Sequence, residues 1–255
     1  MLSTYAAYQL TTQNLDRSLT IVKSDPMVER ETAYYKENVG KIKTPEEFVN
    51  DSRIFGYAMK AFGLDDMTYA KAFMLKVLKE GTDENTAFAN RLADKRYVDF
   101  ADTFNFSRHG KTAMTFTKAQ QGTVDLYMRQ TLEENEGSKN EAVRLAMYFE
   151  RKAPDLKSVT GILADSALSS VVRTVLGLPD STAMLNIDKQ IEMLKGRIDI
   201  KDFQDPDKLA KMIERFSAMW DMNKGSSAAQ SQVGLLFSGS SPTLSADLLM
   251  SLLAR

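Results

Sequence analysis

Residues 33–64 read AYYKENVGKIKTPEEFVNDSRIFGYAMKAFGL, and residues 147–178 read MYFERKAPDLKSVTGILADSALSSVVRTVLGL. A shift of 114 positions lays one on the other without a gap, with identities at Tyr34/Tyr148, Lys43/Lys157, Asp51/Asp165, Ser52/Ser166, Gly63/Gly177 and Leu64/Leu178. Apolar positions agree as well: Tyr35/Phe149, Ile42/Leu156, Phe48/Ile162, Val49/Leu163, Ile54/Leu168, Tyr57/Val171 and Phe62/Leu176. After a two-residue insertion the match resumes at Leu78-Lys79 and Leu194-Lys195, then pairs Phe100 with Phe216 and Phe104 with Trp220. A repeat on this scale is the signature of a duplicated supersecondary unit. We read two copies, 28–106 and 142–222, with an N-terminal segment 1–27, a connector 107–141 and a C-terminal stretch 223–255. Phe55 and Phe62 are expected to be buried where Ser169 and Leu176 sit in the second copy.

Local chemistry makes each copy helical. Thr44-Pro45-Glu46-Glu47 is a capping box: the Thr hydroxyl accepts the third amide, Pro fills the first helical position, and Glu47 reaches back to the cap. Phe48, Phe55, Met59 and Phe62 follow at helical spacing, and Gly63 supplies a left-handed stop. Ser158 and Gly177 hold the same two offices in the second copy. A second helix is expected over 66–80, with Tyr69, Ala70, Phe73, Val77 and Leu78 as its stripe. Its counterpart is expected over 181–195, with Met184, Ile187, Ile191 and Leu194. Asp205-Pro206-Asp207 caps a last helix that carries Leu209, Met212, Ile213, Phe216 and Trp220. In the connector, 107–122 reads as a glycine-broken loop, Thr123–Glu134 as helix, and Ser138-Lys139-Asn140-Glu141 as a further capping box. Sustained apolar–polar alternation is absent, so the fold class is all-α.

Composition narrows the function. The 255 residues hold 33 basic and 34 acidic side chains, a net charge of −1, which argues against a cationic nucleic-acid binder. With no cysteine, thiol nucleophiles, thiolate metal sites and disulfides are excluded. The N-terminus lacks the basic and apolar regions of a secretory signal, and no apolar run is long enough to span a bilayer. A cytoplasmic protein is expected, with export lacking a cleaved signal left open.

Catalytic signatures fail one by one. His109 is the single histidine and lies in a polar stretch, which leaves no triad and no histidine-rich metal set. Gly110-Lys111-Thr112 has the ending of a phosphate-binding loop, but Asn105 stands where its first glycine should be. Asp199, Asp202, Asp205 and Asp207 lack the glycine and glutamate of a calcium loop. Arg91, Lys95 and Arg96 are expected to form a small basic face. No catalytic residue, metal ligand or cofactor is assigned.

The C-terminal stretch changes character. Residues 225–255 carry Asp247 and Arg255 as their charges, among Gly/Ser-rich runs and two apolar clusters. Leu235, Leu236 and Phe237, with Leu248, Leu249, Met250, Leu252 and Leu253, are the candidate partner-binding residues.

The runs SRIFGYAMKAFGLDD (52–66), NRLADKRYVDFADTFNF (90–106) and SALSSVVRTVLGLPD (166–180) resemble a bacterial family of unknown function. That family is encoded mainly in alphaproteobacteria, often within flagellar gene clusters, and the resemblance covers most of the chain. It implies no catalytic residue, cofactor or substrate, and its flagellar connection rests on gene company. Two expectations follow. The first is a non-enzymatic flagellum-associated component, adaptor or assembly factor that binds protein partners. The second is a small-molecule-binding or sensory module with a pocket between the copies lined by Met and aromatic side chains. Partner identity and oligomeric state stay open.

Overall fold

The computed structural model describes residues 2–223, and within them every regular element is a helix. The α-helices are α1 (Thr4–Thr12), α2 (Leu15–Lys23), α3 (Pro26–Asn38), α4 (Pro45–Asn50), α5 (Ser52–Ala61), α6 (Lys71–Glu80), α7 (Phe88–Arg91) and α8 (Arg96–Thr103), followed by α9 (Phe106–His109) and α10 (Thr123–Lys139). The second half holds α11 (Glu141–Lys152), α12 (Val159–Ala164), α13 (Ser166–Val175), α14 (Ile187–Leu194) and α15 (Pro206–Asn223). The long α10 lies against both α5 and α11, so it joins the halves. One core runs through both, from Phe48, Phe55, Phe100 and Phe104 to Phe149, Phe203 and Phe216.

The two aligned segments carry the same elements at the same offset. Shifting α4 and α5 by 114 residues gives the bounds of α12 and α13, and the 3-10 turn Val39–Lys41 maps onto Ala153–Asp155. Caps match too. The Thr44 hydroxyl accepts the Glu47 amide and the Ser158 hydroxyl accepts the Gly161 amide, both at 3.1 Å. Asp51 caps α5 through the Arg53 and Ile54 amides, and Asp165 caps α13 through the Leu168 amide. A tyrosine two helices earlier, on α3 or α11, donates to each aspartate: Tyr34 to Asp51 at 3.4 Å, Tyr148 to Asp165 at 2.6 Å. Phe55 and Ser169 are both buried, whereas Phe62 and Leu176 are each half-buried. Glu47 returns to the amide of Lys43, one residue before the cap itself.

Both predicted stops adopt the left-handed region, Gly63 at φ 67° and Gly177 at φ 65°. A Cβ on Gly63 would sit at ordinary contact distance, 3.5 Å from the Gln130 amide nitrogen, so the penalty there is conformational. Gly63→Ala and Gly177→Ala should each lower unfolding free energy by about 1 kcal/mol in urea titrations. Unchanged midpoints would mean that these helices end for another reason.

Several sequence expectations need correction. The helix expected over 66–80 begins at Lys71, because Leu64 drops into the core and the chain then makes a 3-10 turn over Asp65–Met67. Tyr69 therefore points outward, 79% exposed. In the counterpart, α14 buries Leu194 while Met184 is 90% exposed and Ile187 also faces out. Periodicity records spacing but not how deeply a helix seats. The stretch read as a loop is wound into α9, a 3-10 turn (Gly110–Thr115) and a π turn (Lys118–Gly122). Ser138 belongs to α10 and donates to the Asn135 carbonyl; the cap of α11 is Asn140, whose side-chain Oδ1 accepts the Ala142 amide. The N-terminal helices pack on the body: α1 on α11 and α15, α2 on α10 and α3. The partner-binding candidates between Leu235 and Leu253 lie outside the described residues.

Candidate functional site

A groove of about 650 Å³ opens between the halves. Its first wall comes from the start of α8. Asp94 accepts the backbone amide and guanidinium of Arg96, and Arg96 reaches on to the Gly63 carbonyl. The left-handed turn at Gly63 aims that carbonyl at Arg96, so a backbone requirement becomes an anchor for a side chain. The second wall comes from α11–α13, with Tyr148, Lys152, Asp165 and Leu168. Lys152 closes across to Asp99 at 3.0 Å.

Below the groove, Glu133 on α10 is completely buried. It accepts Arg129 at 3.1 Å and Arg151 at 2.8 and 2.7 Å, which ties α10 to α11. Burial opposes the charge of Arg151, yet the Glu133 carboxylate outweighs it and holds the guanidinium above its ordinary pKa. Arg96 follows the same logic: burial lowers, the hydrogen bonds and charge of Asp94 raise, and the net shift is upward. Burial and the adjacent Asp165 push Tyr148 well above the phenol range, so its proton stays on. These groups are held in one protonation state and mutually paired. Glu133 and Arg151 tie α10 to α11, and Lys152 with Asp99 bridges the two walls.

This groove differs from the Met- and aromatic-lined pocket expected between the copies. The groove is edged by charges, with Tyr148 as its aromatic, and no methionine lines it. Met59, Met74, Met114 and Met147 are fully buried in the core, where an unbranched thioether fills irregular space. The expected basic face is also corrected, since Arg96 turns inward to Asp94 and Gly63 while Arg91 and Lys95 remain outside. His109 is half-buried, its ring 4.4 Å from that of Phe116. Thr112 donates to the His109 carbonyl within its own turn. Asn105 is buried, caps α9 through the Arg108 amide and donates to Asp83. Asp199 and Asp205 cap helices and Asp202 pairs with Lys208. Among the described residues no cluster of His, Asp and Glu is arranged to hold a metal ion.

A second feature lies at the N-terminal helices. Leu2, Leu10 and Ile21 are 63%, 67% and 65% exposed around a cleft of about 590 Å³, with Ala7 and the buried Val143 beneath. Sequence reading missed it because α1 and α2 have short, mixed patterns that do not say which apolar side chains stay outside.

With this geometry in place, comparison with known proteins is direct. Residues 61–209 match the family model described as Protein of unknown function (DUF1217). The chain belongs to that family. The family match includes Gly63, Asp94, Arg96, Tyr148 and Asp165, so both walls of the groove fall inside it. An X-ray structure of a protein from Agrobacterium tumefaciens, a structural-genomics target, is similar to this chain at 44% identity and a TM-score of 0.81. The match covers 88% of this chain and 97% of that one. A search of curated proteins finds no match. The helical fold and the bacterial family agree with the resemblance read from the sequence. No described helix is long and apolar enough to cross a membrane.

Proposed function

We propose that this DUF1217 protein is a non-enzymatic, flagellum-associated adaptor or assembly factor, built from two copies of one helical unit and acting through protein–protein contacts. The observation that carries the reading is the cleft at α1 and α2. Three large aliphatic side chains stand about two-thirds exposed around one depression, an arrangement that costs solubility unless something covers it. The groove between the halves supports the same reading, because Arg96 is paired with Asp94 and Lys152 with Asp99. Leu235, Leu236, Phe237 and the leucines between 248 and 253 supply further apolar contact surface in sequence. The flagellar part follows from the gene company of the resembling family. The equal offsets of the elements support the duplication.

The test is genetic and biochemical. A deletion strain should swim poorly, wild-type protein should restore motility, and Leu10→Glu should not. Leu10→Glu should change unfolding free energy by no more than about 0.5 kcal/mol, since Leu10 is exposed. Pulldown against purified flagellar proteins should lose its signal with the same variant. Normal swimming by the deletion strain would remove the flagellar assignment. The volume of the groove, within the range of ligand pockets, supports a second reading as a small-molecule-binding module. A thermal-shift screen of metabolites separates the two, because a ligand of the groove raises the melting temperature without any protein partner.

A further inference from the structure

The cleft at α1 and α2 leaves Leu2, Leu10 and Ile21 exposed. We infer that it is the docking site of the chain's own C-terminal residues 245–253. The inference takes the cleft as a contact surface but does not depend on any flagellar partner.

Position comes first. Helix α15 ends at Asn223, and its last turn is fastened beside the cleft. The Asp221 carboxylate accepts the Thr4 amide at 2.8 Å and the Thr4 hydroxyl at 2.5 Å. Asn140, which lines the cleft, donates to that same Thr4 oxygen at 3.0 Å. The last described turn of α15 therefore stands at the edge of the depression. Twenty-one residues separate Asn223 from Ser245. That length reaches roughly 70 Å at full extension, more than enough to turn back across α1.

Chemistry comes second. Residues 245–253 read SADLLMSLL, and Leu248, Leu249, Leu252 and Leu253 recur at the i, i+1, i+4, i+5 spacing of a single helical face. Such a face is the form that enters an apolar groove, with leucines as anchors. Leu2, Leu10 and Ile21 offer matching aliphatic surface. Asp247, the segment's one charge, meets Arg17 at the rim, while the rim's Lys139 is already paired with Glu136 at 2.8 Å.

Concentration decides between this occupant and a second copy. A tethered segment meets its site at an effective concentration on the order of millimolar, far above the micromolar level of another chain. The same leucines therefore fill their own chain's cleft before another's.

The chain has no cysteine, so two engineered thiols report without interference. Full-length protein carrying Leu10→Cys and Leu249→Cys, oxidised mildly at micromolar concentration, should form an intrachain disulfide as its main product. A pair using the exposed Met184 outside the cleft, Met184→Cys with Leu249→Cys, should react about fivefold more slowly or less, as tethering without docking requires. Adding Ile21→Glu to the first pair should slow it to the rate of the second, with an unchanged circular dichroism spectrum showing that the body stays folded. Equal rates for the two pairs would overturn the proposal. A disulfide-linked dimer as the main product would also overturn it and assign the cleft to a second copy. The swimming of the deletion strain tests the flagellar reading apart from either outcome, whereas a defect of Leu10→Glu would follow from both occupants of the cleft.

Discussion

Glu133→Ala is expected to destabilise the protein by about 3–5 kcal/mol, the cost of stripping one partner from a buried ion pair. The side chain has no exposed surface, and its two oxygens take three hydrogen bonds from Arg129 and Arg151. Removing it leaves the Arg151 guanidinium in place on α11 with its principal counter-charge gone. Arg129 keeps Glu150 at 3.3 Å, so the damage falls mainly on Arg151. Glu133→Gln retains the shape and one acceptor oxygen and should cost less, about 2 kcal/mol, as expected when a charge-assisted bond becomes a neutral one. Urea unfolding followed at 222 nm checks both. A loss below about 1 kcal/mol for Glu133→Ala would place the pair in the range of solvated surface bridges and sink the claim that it braces α10 to α11.

The same distinction explains what could be read in the sequence. Thr44, Asp51, Ser158 and Asp165 act on amides two or three residues away, so their roles are written within a single turn of chain. Gly63 and Gly177 were legible for the same reason, as stops after an apolar stripe. Arg96 was not. Its direction is set by a carbonyl 33 residues earlier, so three cations at 91, 95 and 96 look alike in sequence while one of them is turned inside. The exposed Tyr69 and Met184 fail in the opposite way, having helical spacing on elements that seat shallowly. Asn105 was noticed only as the residue that spoils a phosphate loop. The structure gives it a positive role, holding the turn after α8 to the loop after α6. The candidate site was the least legible part. Tyr148 and Asp165 stood in the alignment as identities with Tyr34 and Asp51, but only packing against α8 makes the second pair a groove wall.

Gly81 carries the sharpest consequence of that packing, and Gly81→Ala should cost about 3 kcal/mol or more. Its backbone ends α6 at φ 64° and ψ −145°, a region that residues with a Cβ almost never occupy. A Cβ there would stand 2.9 Å from both the Asn105 side-chain oxygen and the Ser107 Cβ. Asn105 cannot yield freely, because that oxygen accepts the Arg108 amide at 2.9 Å and its nitrogen donates to Asp83. Gly110 offers the control: at φ 51° and ψ −131° it shares that backbone region, but its added Cβ meets nothing within 4 Å. The difference between Gly81→Ala and Gly110→Ala, measured under one set of urea conditions, isolates the collision from the dihedral cost. Combining Gly81→Ala with Ser107→Gly removes one of the two struck atoms and should return about 1 kcal/mol, as coupled neighbours do. Equal losses at Gly81 and Gly110 would mean that the loop gives way, and that the hydrogen bonds of Asn105 do not fix the approach of α6 to α9.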